Sequence, residues 1–109
     1  MNYQKSLQNA IDRTDFAKLK EKPRRRDGKF TGKSCDQIVN IINRLERKYF
    51  CCCERIRDRE ELQMFEPLHN KTKEIIRELN TLLECEDDGL NNINGWFEYT
   101  KERLDGQRA

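Results

Sequence analysis

No run of apolar residues in this chain of 109 approaches the ~20 needed to cross a bilayer as a helix. Met1–Ala10 also lacks the apolar stretch of a secretory signal, so the protein is expected to stay where it is made, in the cytoplasm or in the nucleus of a eukaryotic host. Hydrophobic residues make up only 35% of the chain and aromatics 8%. That is too little apolar surface for a large enzyme-like core. The chain has one histidine and no Cys-x-x-Cys pair, which leaves out the common frameworks of structural zinc and of acid–base catalysis. No stretch alternates apolar and polar residues over a strand's length, so helix is expected almost throughout.

The length corresponds to about one small domain. Five cysteines, three of them adjacent at Cys51, Cys52 and Cys53, do not resemble a secreted disulfide framework. Free thiols of this kind suit a reducing compartment.

What the chain has in abundance is charge, at 39% of residues. The net charge of +2 conceals an asymmetry: residues 1–34 carry ten Lys/Arg against four Asp/Glu, whereas residues 35–109 carry twelve against sixteen. A basic N-terminal portion attached to a mildly acidic body is expected to meet phosphates, anionic membranes or acidic protein surfaces.

Periodicity divides the chain into an N-terminal helix plus a basic flexible arm over 1–34 and a helical hairpin or bundle over 35–109. Tyr3, Leu7, Ala10 or Ile11, and Thr14 mark one helical face within Tyr3–Leu19. Pro23 ends that helix. Lys22 to Lys33 then holds a proline, two glycines and six basic residues without periodicity, which reads as a mobile connector. Ser34 is expected to cap the next helix, with Asp36 favourable to its dipole. From there Cys35, Ile38, Ile42, Leu45, Tyr49, Cys52 and Ile56 step by three and four, the a/d spacing of a coiled coil. Such a seam wants a partner helix, within the chain or in a second copy. Arg44, Glu46, Arg47, Glu54, Arg55, Arg57 and Asp58 beside it read as solvated surface.

Glu66-Pro67 is expected to start the following helix, whose seam is Leu68, Thr72, Ile75, Leu79 and Leu82, widened by Ile76 and Leu83 and closed by Asp87-Asp88-Gly89. A third, shorter helix, beginning nearer Asn94, aligns Leu90, Ile93, Phe97 and Leu104, with Asp105-Gly106 releasing the chain. The fold class is therefore all-α, an antiparallel helical hairpin or small three-helix bundle with coiled-coil-like seams and a basic N-terminal arm.

Motifs with chemical meaning are few. Asp27-Gly28-Lys29-Phe30-Thr31-Gly32-Lys33-Ser34 resembles a phosphate-cradling P-loop but has Asp27 where the first glycine belongs, and a carboxylate there would repel phosphate. A zinc site from Cys52, Cys85 and His69 is conceivable across a hairpin, against the plainer role of Cys52 as a small packing residue. His69 has no nucleophile near it in sequence and reads as a surface or helix-start residue. Paired acids such as Glu60-Glu61 lack an apolar pocket. Glu84, Glu86, Asp87 and Asp88 crowd a helix C-terminus, where the dipole already disfavours them, so a positive group is expected nearby: Arg24, Arg25 and Arg26 of the arm, or a basic partner.

The basic arm, Lys20, Lys22, Arg24, Arg25, Arg26, Lys29 and Lys33, is dense enough to neutralise several phosphates without reading sequence. Trp96 and Tyr99, beside the face carrying Phe97, are candidate anchors for a protein partner. The expectation is a non-enzymatic helical interaction protein with no cofactor. It would self-associate through Ile38, Ile42, Leu45, Tyr49, Cys52 and Ile56, and bind or block another macromolecule, as small accessory or inhibitor proteins of viruses and mobile elements do. Alternatives are a nucleic-acid-binding protein using the arm and a small zinc- or phosphate-ligand-binding protein.

Overall fold

In the computed structural model, residues 2–84 and 88–106 are described, residues 88 and 89 by their backbone alone. Five helices follow one another: α1 (Tyr3–Asp12), α2 (Phe16–Lys20), α3 (Gly32–Glu54), α4 (Arg59–Leu83) and α5 (Asp88–Gly106). The fold is all-α. The three long helices touch one another pairwise, and α1 packs on both α3 and α4. The arrangement is thus neither a bare hairpin nor a three-helix bundle. All five helices contribute to one core, in which Leu7 and Ile11 of α1, Leu19 of α2 and Phe30 come from the N-terminal portion.

Tyr3–Leu19 does not form one helix. Asn2 caps α1 by accepting from the Lys5 amide at 3.0 Å. At the far end the Thr14 hydroxyl turns back to the Ala10 carbonyl at 3.0 Å. Asp15 then takes an extended conformation and accepts from the Lys18 amide, starting α2 afresh. A short polar side chain that satisfies an orphan amide outcompetes helix continuation at this point.

Lys22 to Lys33, expected to lack local order, takes a defined path. The Arg25 amide donates to the Lys29 carbonyl at 2.7 Å, and Arg24 pairs with Phe30 in an isolated antiparallel bridge. Gly28 sits at φ +84°, where a glycine has no steric penalty. Asp27 accepts from the Lys29 amide at 3.0 Å and from the Arg25 guanidinium at 2.8 Å. Phe30 supplies the apolar anchor: it is buried, with the Arg24 guanidinium 4.0 Å from its ring centroid.

The α3 cap is Thr31, whose hydroxyl oxygen accepts from the Ser34 amide at 3.2 Å. Ser34, expected in that role, lies inside the helix and donates its own hydroxyl to the Pro23 carbonyl at 3.0 Å. The α3 seam packs as its spacing predicts at Ile38, Ile42, Leu45, Tyr49 and Cys52, all buried within a single chain, while Ile56 is buried from beyond the end of the helix at Glu54.

The α4 helix starts eight residues before Pro67. Asp58 accepts from the Glu61 amide at 2.8 Å, while the Glu61 carboxylate accepts from the Arg57 amide at 2.9 Å. Glu60 and Glu61 also complement the helix dipole in the first turn. These caps prevail over the tendency of proline to stand at a helix start. Pro67 is exposed within the helix and simply brings no N–H to its ladder. The buried face is accordingly Leu62, Phe65, His69, Thr72, Ile76 and Leu79, stepping 3, 4, 3, 4, 3, with Leu68 beside it and Ile75 and Leu82 only half-buried.

The α4 helix ends at Glu84, in the left-handed region at φ 56°. Cys85, Glu86 and Asp87 lie outside the described residues. The α5 helix begins at Asp88 rather than near Asn94 and continues through Asp105-Gly106. Leu90, Ile93, Phe97, Thr100 and Leu104 form its buried face. Arg59 and Asp105 pair across the ends of α4 and α5. No helix among the described residues is long and apolar enough to cross a membrane.

Candidate anion-binding groove

Two antiparallel helices, α1 and α3, create a recess lined by four cations. The Lys48 ammonium of α3 donates to the Ser6 hydroxyl of α1 at 2.7 Å, and the Arg55 guanidinium lies 3.7 Å from the Tyr3 ring centroid, so the start of α1 meets the end of α3. Between the helices lies a groove of about 730 Å³. One wall carries Lys5, Asn9 and Arg13, three residues at i, i+4 and i+8 that share a face of α1. The other carries Arg44 and Lys48, one turn apart on α3, while Ala10, Ile41 and Leu45 line the groove between them. Asn2 belongs both to this groove and to a second recess of about 640 Å³, which Tyr3, Arg55 and Arg57 also line.

The electrostatics of this edge are one-sided. No carboxylate lines either recess among the described residues. Asp12, the acid of α1, is turned to the Gln8 amide at 2.9 Å. The ion pairs among the described residues involve Arg25, Arg55, Arg59 and Lys101, leaving Lys5, Arg13, Arg44 and Lys48 without a carboxylate partner. Cations held on facing walls raise the local potential and favour anions in the gap.

The arm lies elsewhere, at the start of α3. Lys22 donates to the Gln37 side chain at 2.6 Å. Arg24, Arg25 and Lys29 line a recess of about 260 Å³ together with Glu84, which places positive charge beside the first member of the acidic cluster. Arg26, Lys20 and Lys33 are exposed. The Gly-Lys-Ser sequence does not form a phosphate cradle: Asp27 occupies the Lys29 amide, Thr31 the Ser34 amide, and the Phe30 side chain is buried.

His69 is not a surface residue. Its Nδ1 is 2.6 Å from the Tyr49 hydroxyl, and its ring stacks on Phe97 at 4.0 Å and 12°. Burial, with Lys73 and Lys101 adding positive charge nearby, pushes its pKa down to about 4. The ring is therefore neutral, and its tautomer sets which of Nδ1 and the Tyr49 hydroxyl donates. Burial likewise pushes the Tyr49 hydroxyl and the Cys53 thiol up, and Cys52 up to about 12. A thiol held that way is a poor nucleophile and metal ligand. Among the described residues no three His, Cys, Asp or Glu side chains are grouped to hold a metal ion.

On the opposite side of α3, Trp96 is half-buried against Phe50, with ring centroids 5.1 Å apart, while Tyr99 is exposed. Both line a recess of about 400 Å³ with Phe50, Cys53 and Arg103. The Arg103 guanidinium donates to the Cys53 and Ile56 carbonyls at 3.2 and 2.5 Å, closing the end of α3.

Compared with known proteins, the chain matches no family model, no curated relative and no solved structure.

Proposed function

We propose that this is a non-enzymatic helical protein that binds a polyanionic macromolecule along the α1–α3 edge. The observation that carries this reading is the groove: Lys5, Arg13, Arg44 and Lys48 face one recess from two helices, with no carboxylate among the described residues that line it. The groups that resemble catalytic ones favour the same reading. His69 is engaged with Tyr49 and Phe97, and the Cys52 and Cys53 thiols are buried. The α3 seam is used in packing within the chain, so contacts with a partner fall to the faces that remain.

A long open groove with charge distributed along it suits an extended ligand better than a compact one. Thermal melting with a linear polyanion such as heparin, against ATP and pyrophosphate, tests this. The polyanion is expected to raise Tm at low salt by mass action, with the shift abolished at 0.5 M salt, and the small anions at millimolar concentration to leave Tm unchanged. Absence of a polyanion shift, or saturable stabilisation by the mononucleotide, would contradict the reading.

A second reading attaches to the exposed Tyr99 and half-buried Trp96 beside Phe50, an aromatic surface of the type that anchors protein partners. Replacing both with Ala would leave polyanion binding intact and remove such a contact.

A further inference from the structure

Resting on the polyanion reading, we infer that the α1–α3 groove and the recess beneath Tyr3 together hold one phosphate backbone of a nucleic-acid duplex, without reading its sequence. Three observations select this ligand.

The first is length. Lys5 to Arg13 spans eight residues of α1, about 12 Å, and Arg44 to Arg55 spans eleven residues at the α3 edge, about 16 Å. A duplex backbone presents regularly spaced phosphates over such a length, and the cations lining the two recesses, Lys5, Arg13, Arg44, Lys48, Arg55 and Arg57, suffice to neutralise about four or five of them.

The second is chemistry. The cations are interspersed with neutral amides, Asn2 and Asn9, and phosphate oxygens are contacted by this mixture of guanidinium, ammonium and amide donors. The large apolar side chains that are exposed among the described residues, Val39, Phe50, Met64 and Tyr99, line neither recess, so no described residue beside the cations is suited to enter a lipid surface.

The third is the aromatic content. Single-strand binding relies on rings on which bases stack. Tyr3 is the one aromatic lining either recess, and the Arg55 guanidinium already lies against its face. Bases therefore have no platform, whereas a paired backbone needs none.

The test is fluorescence anisotropy of the full chain with two 20-base-pair duplexes of unrelated sequence, from 50 to 200 mM NaCl. Binding is expected to be equal for the two sequences and to weaken roughly 10²- to 10³-fold across that range, as expected for four or five neutralised phosphates. Arg13→Glu with Arg44→Glu, both exposed and without a side-chain partner among the described residues, should weaken binding more than 30-fold while circular dichroism and Tm stay unchanged. The milder Lys5→Gln with Lys48→Gln should reduce the logarithmic salt slope by about two. Replacing Arg24, Arg25 and Arg26 with Ala should change affinity less than threefold.

The inference is overturned by a folded double-Glu variant that binds like the parent, by loss of binding in the arm variant instead, or by tighter binding to single strands. Stronger association with phosphatidylserine vesicles than with duplex would also overturn it. Heparin binding without duplex binding removes this inference and spares the polyanion reading; absence of both removes both.

Discussion

Lys5, Arg13 and Arg44 on the α1–α3 edge, and Tyr49, His69 and Arg103 where α3, α4 and α5 meet, are all polar or charged, yet the fold treats them in opposite ways. At the junction each has a partner inside the molecule: Tyr49 with His69, His69 with Phe97, Arg103 with the carbonyls that end α3. On the edge, cations face one another across open space, and among the described residues only Ser6 engages one of them. The junction consumes its polar groups in stabilising the fold; the edge leaves them available to a ligand. Proteins tend to carry function where such local electrostatic frustration is tolerated.

The contrast can be broken most forcefully from the interior. Phe65 is fully buried and 5.2 Å from Tyr49, so Phe65→Ala should cost about 3–5 kcal/mol in urea unfolding. Acid acts on the same cluster. Because the folded His69 titrates at about 4 and the unfolded one near 6.5, the unfolded chain takes up the proton first as pH falls. Stability is then complete above pH 6.5, declines between 6.5 and 4 by roughly 2–3 kcal/mol, and levels below that. A His69→Gln variant should lose this step, measurable as a flattened dependence of the unfolding midpoint on pH.

A smaller effect follows at the α3 end. Arg103→Met removes two charge-assisted bonds to carbonyls but also an Nε that is buried without a partner, so a net loss of about 1–2 kcal/mol is expected. Faster amide exchange around residues 53–56 would accompany it. Smallest of all, Arg44→Ala should change stability by less than about 0.5 kcal/mol, or raise it slightly through relieved repulsion, while weakening duplex binding. An edge cation whose removal cost as much as Arg103 would erase the distinction between the two regions.

The α3 helix is legible because its heptad spacing depends on chain order alone: the five residues from Ile38 to Cys52 are read at their burial, and the spacing fails at Ile56, which follows the helix end. The α4 helix starts earlier than the sequence suggests because Glu66-Pro67 is a strong local boundary signal, whereas the caps that prevail, Asp58 and Glu61, look in sequence like ordinary surface charge. Had that cap been read, Leu62, Phe65, His69, Thr72, Ile76 and Leu79 would have emerged as a seam with the histidine on it. The acidic cluster at the end of α4 was partly legible, since Glu84 does share a recess with Arg24 and Arg25.

The groove had only half a signal. Lys5, Asn9 and Arg13 at intervals of four, and Arg44 with Lys48, are visible as two stripes. That α1 lies antiparallel on α3 and brings the stripes together is a tertiary fact no local pattern contains. The density of Lys22 to Lys33 drew attention to the arm, where the structure engages Lys22, Arg24 and Arg25 with the chain's own groups.

The most direct measurement of the central claim is an amide and side-chain NMR titration of the labelled protein with a short duplex at low salt. Shifts concentrated at Lys5, Asn9, Arg13, Arg44 and Lys48, with Trp96 and Arg26 unmoved, are the predicted result. Shifts confined to Arg24–Arg26, or to Trp96 and Tyr99, would place the binding surface elsewhere and contradict the account.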